Sequence, residues 1–391
     1  MAYRGKTILS QRLVSLLMAA LMLSTAIFLT EAHAGITGKV SGVVIDDVTG
    51  LPIEGATVRV LGTNIVTMTD IDGEYFIINM ASGKYDISVT TVGFESTIKK
   101  DVRVLVDLTT PVDFTLAEEP VKLDEQVVVL AENPIIQKDL TASKVIFTSD
   151  RLRTLPNIIT VQSVLTNYPG VVLDRDQALH VRGGRSGQVS YYYDGFSVQD
   201  PFVANSGIHI IPTALEELTL TSGGYAAEYG EALSGVVSAV SREGTAEYSG
   251  SLKMYEGFTH TYDVTVGDWS DIKQIGNRSV SLNLSGPVPF VDPRRYTFSA
   301  ASEYLHDPTD LPHNRKTSYT TVAKLSMQPV SNLKLITNGA YYEESGQLYT
   351  HRDVNNVSYD FNLDGLPDFE KKSYLVGLSG NYNFSEKLIL L

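Results

Sequence analysis

The last third of the chain constrains its fold most strongly, because from residue 246 onward apolar and polar residues alternate in short segments. A period of two is typical of β-strands, whose successive side chains point to opposite faces. In the segment 278–287, for example, Val280, Leu282 and Leu284 fall on one face, whereas Asn283 and the serines fall on the other. A soluble sandwich has the same period, so the alternation predicts strands without identifying the kind of sheet.

The connections between these strands are alternately long and short, as in transmembrane β-barrels, which have long loops at one end and tight turns at the other. The candidate strands are Glu247–Phe258, Arg278–Pro287, Arg295–His306, Ser318–Gln328, Asn332–Tyr342 and Ser373–Phe384. Tyrosines near strand ends suit the aromatic girdles of such barrels; they are Tyr304, Tyr341, Tyr342 and Tyr382. We therefore predict that residues 246–391 form the first strands, about six, of an antiparallel transmembrane β-barrel.

Six strands, with a seventh candidate at Leu388–Leu391, fall short of the roughly 22 strands of barrels that hold a plug. An open sheet in lipid would leave unpaired backbone groups at both edges, and each of these costs several kcal/mol. We therefore expect the barrel to be incomplete and the chain to be the N-terminal portion of a longer protein. A natural truncated product that is soluble or degraded is the alternative.

The N-terminus has the pattern of an export signal. Arg4, Lys6 and Arg12 precede an apolar run from Leu13 to Thr30, and Ala32-His33-Ala34 is a small-x-small cleavage site. Residues 1–34 are predicted to be a signal peptide. The length of the apolar run also fits a retained membrane anchor.

Composition excludes several classes of function. The net charge of −14 without a basic stripe disfavours nucleic acid as a partner. The absence of cysteine excludes disulfides, thiolate metal sites and a cysteine nucleophile. The seven histidines form no HExxH-like pair, so a zinc hydrolase is disfavoured. We expect a protein that is not an enzyme and that requires no cofactor.

Residues 35–119 are predicted to form a β-sandwich of roughly seven strands, because short β-branched and aromatic runs are separated by turn signals about every 10 residues. The runs lie at 39–47, 55–62, 64–69, 73–80, 83–92 and 111–116. The order GVVIDDVTGLPIEGATVRVLGT, then TDIDGEYFI, resembles the carboxypeptidase-regulatory-like domain, a transthyretin-like sandwich found at the N-terminus of many exported bacterial proteins.

Residues 120–245 are predicted to be a compact α+β unit. One helix is expected from the cap Thr148-Ser149-Asp150 to Leu155, a second from Thr160 to Tyr168, and a helical turn at Pro212. Within this unit Arg182-Gly183-Gly184-Arg185 invites comparison with a phosphate loop, but a P-loop ends in GK[ST] and precedes a helix. Here the glycines lie between strands and indicate a turn. Asp194-Gly195 predicts a two-residue hairpin.

Two motifs in this unit resemble the plug domain of TonB-dependent outer-membrane receptors. They are VRGGRSGQVSYYYDGFSVQDPF and, at 223–244, GGYAAEYGEALSGVVSAVSREG. The resemblance assigns a structural or gating role to Arg182, Gly183, Gly184, Arg185, Asp194, Gly195, Tyr229, Gly230, Ser234 and Gly235. It further implies that Arg182 and Arg185 pair with carboxylates of the barrel wall and keep the plug seated until it is pulled.

The linker before the plug contains LDEQVVVLAENP, a valine-rich run that suggests a strand awaiting a partner edge. It resembles the TonB box, whose residues here would be Leu123, Asp124, Glu125, Gln126, Val127, Val128 and Val129, with Gln126 inserted relative to the family pattern. An ordinary first strand of the plug is the alternative, since short valine runs are common in strands.

An acidic loop before the sixth candidate strand has the spacing of a calcium loop. Asp360, Asn362, Asp364 and Asp368 occupy positions 1, 3, 5 and 9, and glycine occupies position 6. Position 12 is Lys371, where EF-hand loops have a glutamate. The loop predicts a calcium site, with a plain acidic turn as the alternative.

The resemblance implies an outer-membrane receptor that imports a nutrient ligand, with the N-terminal domain in the periplasm. Its expected partners are TonB with its inner-membrane energising complex, outer-membrane lipid, the ligand, and a surface lipoprotein. The alternative is a secreted or surface-attached β-rich protein that binds a ligand such as a glycan and transports nothing.

Overall fold

The structure is a computed structural model that describes residues 35–118, 127–130, 143–155, 160–174, 178–185, 187–202, 205–225, 229–230, 232–257, 278–307, 316–330, 332–347 and 368–382. The predicted signal peptide and the seventh candidate strand lie outside these ranges. No helix in the described part of the chain is long and apolar enough to cross a membrane.

The N-terminal domain is a sandwich of two sheets. One sheet has the order β4-β1-β7, with β8 also pairing with β1, and the other has the order β3-β2-β5-β6-β9. The strands are β1 Thr37–Asp46, β2 Thr57–Val60, β3 Val66–Met68, β4 Glu74–Ala81, β5 Gly83–Thr90, β6 Thr97–Val104, β7 Thr109–Pro111, β8 Phe114–Leu116 and β9 Val127–Leu130. Apolar side chains such as Val40, Ile87 and Phe114 are fully buried between the sheets.

The plug, residues 143–243, is built on the sheet β10-β15-β16-β13-β14 and the separate pair β11-β12. Its elements are β10 Lys144–Thr148, α1 Ser149–Thr154, α2 Val161–Leu165, β11 Val171–Leu173, β12 Leu179–Val181, β13 Val189–Tyr193, β14 Phe196–Ser197, β15 Leu215–Thr221 and β16 Gly235–Ser241. Helix α2 has the predicted cap, since Thr160 accepts from the Ser163 amide at 3.1 Å. Pro212 begins only a 3-10 turn, because Leu215 starts a buried strand between β10 and β16.

The third part is a six-stranded antiparallel sheet, which we call the wall sheet, with the strands in sequence order. The strands are β17 Ser249–Glu256, β18 Arg278–Pro287, β19 Tyr296–Asp307, β20 Lys316–Val330, β21 Leu333–Gln347 and β22 Asp368–Tyr382. All six candidate strands are present, and the last three begin or end several residues beyond the predicted limits. Among the described residues the sheet is open, with β17 and β22 at its edges.

The buried face of the wall sheet is mostly polar, and its exposed face is mostly apolar. On β18 the polar Ser281 is 1% exposed, whereas the neighbouring Leu282 is 42% exposed. On β22 Val376 is 86% exposed, and the outward row continues with Tyr374 and Leu378. This is the reverse of a soluble protein, whose apolar side chains turn inward, and it matches a barrel wall that faces lipid.

Tyrosines form a row on the outer face of the wall sheet. The Tyr341 ring lies 6.4 Å from that of Tyr319 on β20 and 5.2 Å from that of Tyr374 on β22, and Tyr304 is the register partner of Tyr319. The girdle expectation was wrong for Tyr342, which is 7% exposed and packs into the plug core. Adjacent residues of a strand face opposite sides, so Tyr341 and Tyr342 cannot both face outward.

Candidate functional site: the plug and its contacts

The two plug motifs pack directly against each other. A side chain on Gly184 would place its Cβ 2.4 Å from the Cβ of Ser234, so this approach requires glycine. The Ser234 amide donates to the Gln188 carbonyl at 2.9 Å, and Val189 pairs with Gly235 in the parallel ladder of β13 and β16. Sequence reasoning identified both motifs but not that they touch.

Arg182 forms hydrogen bonds within the plug. Its guanidinium donates to the Ser222 carbonyl at 3.0 Å and to the Ser143 hydroxyl, so it connects the end of β15 with the start of the plug. Arg185 uses its backbone amide to bind Gln188. The salt bridges found among the described residues include neither arginine. Pairing of these arginines with wall carboxylates stays a prediction.

Asp194 and Gly195 form the predicted hairpin turn, and both have positive φ, at 49° and 82°. The Asp194 carboxylate also contacts the wall sheet. Its Oδ1 accepts from the Ser241 amide at 2.9 Å and from Lys324 Nζ of β20 at 2.8 Å, while Oδ2 accepts from the Ser241 hydroxyl. The side chains of Asp194 and Lys324 are 1% and 4% exposed. Lys324 Nζ also donates to the Ser241 carbonyl at 3.0 Å. Such additional hydrogen bonds are the condition for a buried charge pair to persist.

Five consecutive wall strands each provide one side chain that makes a polar contact with a plug side chain. The wall-to-plug pairs are Asn283–Thr213, Glu303–His209, Lys324–Asp194, Lys334–Glu243 and Lys371–Asp200. Burial alone would raise the pKa of Glu243, but Lys334 and Lys324 outweigh it and hold this pKa below the usual range. The pairs of Lys324, Lys334 and Lys371 therefore join plug carboxylates to wall lysines. The expectation for the arginines was the reverse, with the cation on the plug and the carboxylate on the wall.

The plug also binds the N-terminal sandwich through buried carboxylates. Glu217 is almost fully buried, and its Oε2 accepts from the Ser82 hydroxyl at 2.6 Å and the Val106 amide at 3.1 Å. Burial raises the pKa of Glu217. On the surface nearby, Asp150 binds both Lys84 and Arg103 of the sandwich. These residues match no motif, and no signal in the sequence marks them.

The second plug motif contributes to the same interface. The Tyr229 hydroxyl donates to Asp107 of the sandwich at 3.1 Å, and its ring packs edge-on against Tyr192 at 5.3 Å. The Gly230 carbonyl accepts from the hydroxyls of Ser190 and Tyr192. This motif thus joins the sandwich to the central plug sheet.

The segment that resembles the TonB box is described only at its C-terminal end. Leu123 to Gln126 lie outside the described residues, whereas Val127 to Leu130 form β9. The strand runs parallel to β6 of the sandwich, with Thr97 opposite Val127 and Lys100 opposite Leu130. The alternative, a first strand of the plug sheet, is wrong, because that sheet begins with β10.

The candidate calcium loop lies almost wholly outside the described residues. Of its four ligands only Asp368 is described, as the first residue of β22. Lys371, at position 12, binds Asp200 of the plug at 2.8 Å. The described residues contain no group of three or more metal-binding side chains.

Comparison with known proteins identifies the two N-terminal parts. The family model for the CarboxypepD_reg-like domain matches residues 40–128, and that for the TonB-dependent receptor plug domain matches residues 136–237. The TonB-dependent transporter Oar of Myxococcus xanthus is 24% identical over 232 residues, 55% of this chain and 21% of that protein. The TonB-dependent receptor SusC of Bacteroides thetaiotaomicron is 26% identical over 275 residues, 63% of this chain and 26% of that protein.

A solved structure has the same fold. The siderophore receptor PirA from Acinetobacter baumannii aligns with a TM-score of 0.51 and 17% identity, over 62% of this chain and 38% of that chain. The chain thus spans 21% and 26% of the length of the two sequence relatives. The chain therefore carries a carboxypeptidase-regulatory-like domain and a TonB-dependent receptor plug domain, and it is similar in sequence to the part of the TonB-dependent receptors that these matches cover.

Proposed function

We propose that this chain acts in the bacterial outer membrane as a TonB-dependent receptor that binds a nutrient ligand outside and imports it past the plug. The observation that carries the proposal is the wall sheet, with its apolar face outward and its polar face against the plug. Such a sheet would be unstable in water, because a large contiguous apolar face would be exposed. In lipid the same face is favourable.

The polar contacts between plug and wall support a plug that can move. Hydrogen bonds to water can replace the hydrogen bonds and ion pairs that these groups make with the wall, so the polar contacts cost less to open than an apolar core of the same area. The wall also contributes Val322, Ala340 and Tyr342 to the plug core, so part of the contact is apolar. The pairs of Lys334 and Lys371 are partly exposed already. No bond is made or broken by this function, so we assign no catalytic residue.

Membrane fractionation followed by gel electrophoresis with and without boiling tests the location. We expect the chain in the outer membrane and a change of mobility on boiling, as a folded barrel gives. A chain that is soluble without detergent would contradict the proposal and would support the secreted ligand-binding protein instead.

Substitution of Val127 tests whether TonB supplies the energy. Val127→Pro removes a backbone N–H from the segment, and we expect ligand uptake to be lost while the outer-membrane location is unchanged. Val127→Ala keeps the N–H and should retain most uptake. Unchanged uptake in Val127→Pro would exclude strand addition at this segment.

We also propose that the loop 360–368 binds calcium through Asp360, Asn362, Asp364 and Asp368. The support is the spacing of its oxygen side chains alone. Calorimetry on the full chain should show calcium uptake that Asp364→Ala weakens. No uptake at millimolar calcium would leave the loop as an acidic turn.

A further inference from the structure

The β6 edge of the sandwich holds the segment that the proposed function assigns to TonB. Strand β9 lies at the end of the sheet β3-β2-β5-β6-β9 and is separated from the plug by residues 131–142. Its four residues pair in register with Thr97, Ile98, Lys99 and Lys100 of β6. The family model for the sandwich domain ends at residue 128, inside this strand.

The edge that β6 presents is short. Asp101 follows Lys100 and has a φ of 59°, and the pairing of β5 with β6 shifts register between Tyr85 and Ile87 at the same place. An irregularity of this kind bends a strand and interrupts its ladder. The pairing with β9 that the described residues show runs up to this irregularity, with Lys100 opposite Leu130.

The four described pairs hold strand β9 reversibly. Parallel pairing is slightly weaker per residue than antiparallel pairing, and each backbone hydrogen bond contributes little net free energy because water offers a replacement. By contrast, β6 pairs with β5 over six positions and buries Ile98, Val102 and Val104 in the sandwich. Loss of β9 would therefore leave the rest of the sandwich folded.

We propose that the β6 edge is a docking site for the segment 127–130 and that a strand of TonB binds this segment by displacing β6. The inference rests on the proposed function. In an extended strand alternate residues direct their N–H and C=O groups to opposite sides, so β6 occupies half of the hydrogen-bonding groups of β9. Only chains in which the segment is released can bind the partner. The apparent affinity is therefore the affinity of the released segment multiplied by the fraction of chains in which it is released.

A disulfide that fixes β9 on β6 tests the proposal, because the chain has no cysteine of its own. Lys100→Cys with Leu130→Cys joins two register partners and leaves Val127 to Val129 unchanged. Adjacent strands lie about 4.8 Å apart, within the separation that a disulfide spans. Thr57→Cys with Thr90→Cys, register partners on β2 and β5, is the matched control inside the same domain.

The measurement is the affinity of the full chain in detergent for the purified periplasmic domain of TonB, before and after reduction. We expect the oxidised Lys100–Leu130 variant to bind about tenfold or more weakly than its reduced form, and the control to bind equally in both. Equal binding by the oxidised and reduced forms would overturn the docking site alone, since TonB would then add to the outer edge of β9. A disulfide that forms in the control but not between positions 100 and 130 would overturn it too. If the reduced form does not bind TonB, the proposed function itself fails and this inference fails with it.

Discussion

At the scale of single residues, the plug depends on charges that are buried only because each has a partner. Asp194 and Lys324 are the most deeply buried pair, and their hydrogen bonds join a plug hairpin, the end of β16 and a wall strand. A buried charge that loses its partner costs far more than the intact pair contributes. The pair therefore specifies how the plug sits against the wall more than it adds stability.

Lys324→Met should leave the Asp194 carboxylate buried without a cation and reduce the free energy of unfolding by about 3–5 kcal/mol. Denaturant unfolding of the chain in detergent measures this loss. The double variant Asp194→Asn with Lys324→Met should recover part of it, because no charge is left unpaired. A single variant as stable as the wild type would show that water reaches the pair.

Glu217 should make the contact between sandwich and plug depend on pH. Burial raises its pKa, so the protonated form is favoured in the contact. This contribution is complete below the pKa of the free carboxyl and is lost as the pH rises through the pKa of the buried one. Burial also raises the pKa values of Asp107 and Glu216, so these carboxyls likewise stabilise the contact at low pH. The hydrogen bond from Lys84 lowers the pKa of Asp150, so this carboxylate stabilises the contact at higher pH instead.

The amide of Val106 reports this effect, because it donates to Glu217. Its hydrogen-exchange protection factor should fall as the pH rises, and Glu217→Gln should flatten the dependence while keeping an acceptor for the amide. An equally steep dependence in Glu217→Gln would assign the effect to Asp107 and Glu216.

At the scale of elements, the fit of the plug hairpin against β22 depends on a residue without a side chain. A Cβ on Gly377 would lie 2.4 Å from the ring of Phe196 in β14, whereas a Cβ on Gly339 of β21 would meet nothing within 4 Å. The space next to Gly377 is therefore filled by the plug, whereas the space next to Gly339 is empty. The contact with the plug hairpin requires glycine at position 377 but not at position 339.

Gly377→Ala should force the Phe196 ring to move and cost about 1–3 kcal/mol of stability through overpacking. Gly339→Ala should change stability by about 0.5 kcal/mol or less. Denaturant unfolding of both variants checks the contrast. Equal effects would mean that the hairpin does not rest on β22.

Local sequence patterns predict some of the elements, whereas other elements and contacts depend on tertiary structure. The wall strands and the hairpin at Asp194 could be predicted because alternation and turn chemistry are local. Strand β6 was missed, since Lys99, Lys100, Asp101 and Arg103 give TIKKDVRV the appearance of a loop. The partners of β9, Glu217 and Lys324 could not be predicted, because each is far away in the sequence and fits no spacing rule.

At the scale of the whole molecule, the outward apolar face of the wall sheet determines which environment the chain can occupy. From Tyr374 to Tyr382, eight residue steps of β22 span about 26 Å along the strand. The tilt of about 35–45° that is usual in outer-membrane barrels reduces this to roughly 18–21 Å across the membrane, against an apolar band of roughly 25 Å. Tyr374, Val376, Leu378 and Tyr382 all face outward. This row of outward side chains therefore covers most of the apolar layer.

Val376→Lys tests this relation. A lysine on the lipid face near the middle of the membrane should destabilise the folded chain by about 2–4 kcal/mol, and Val376→Leu should be nearly neutral. Folding efficiency into lipid vesicles measures both. If the lysine variant folds as well as the wild type, the face does not contact lipid.

The contacts between plug and wall also imply an order of assembly during synthesis. The plug groups at His209, Asp194, Glu243 and Asp200 are complete when residue 243 has been made, but their partners arrive one strand at a time, at Glu303, Lys324, Lys334 and Lys371. Until then a closed plug would bury charges without partners, which is unfavourable. A newly made plug should therefore stay hydrated and loosely packed, and it should close stepwise as each new strand of the wall provides the next counter-ion.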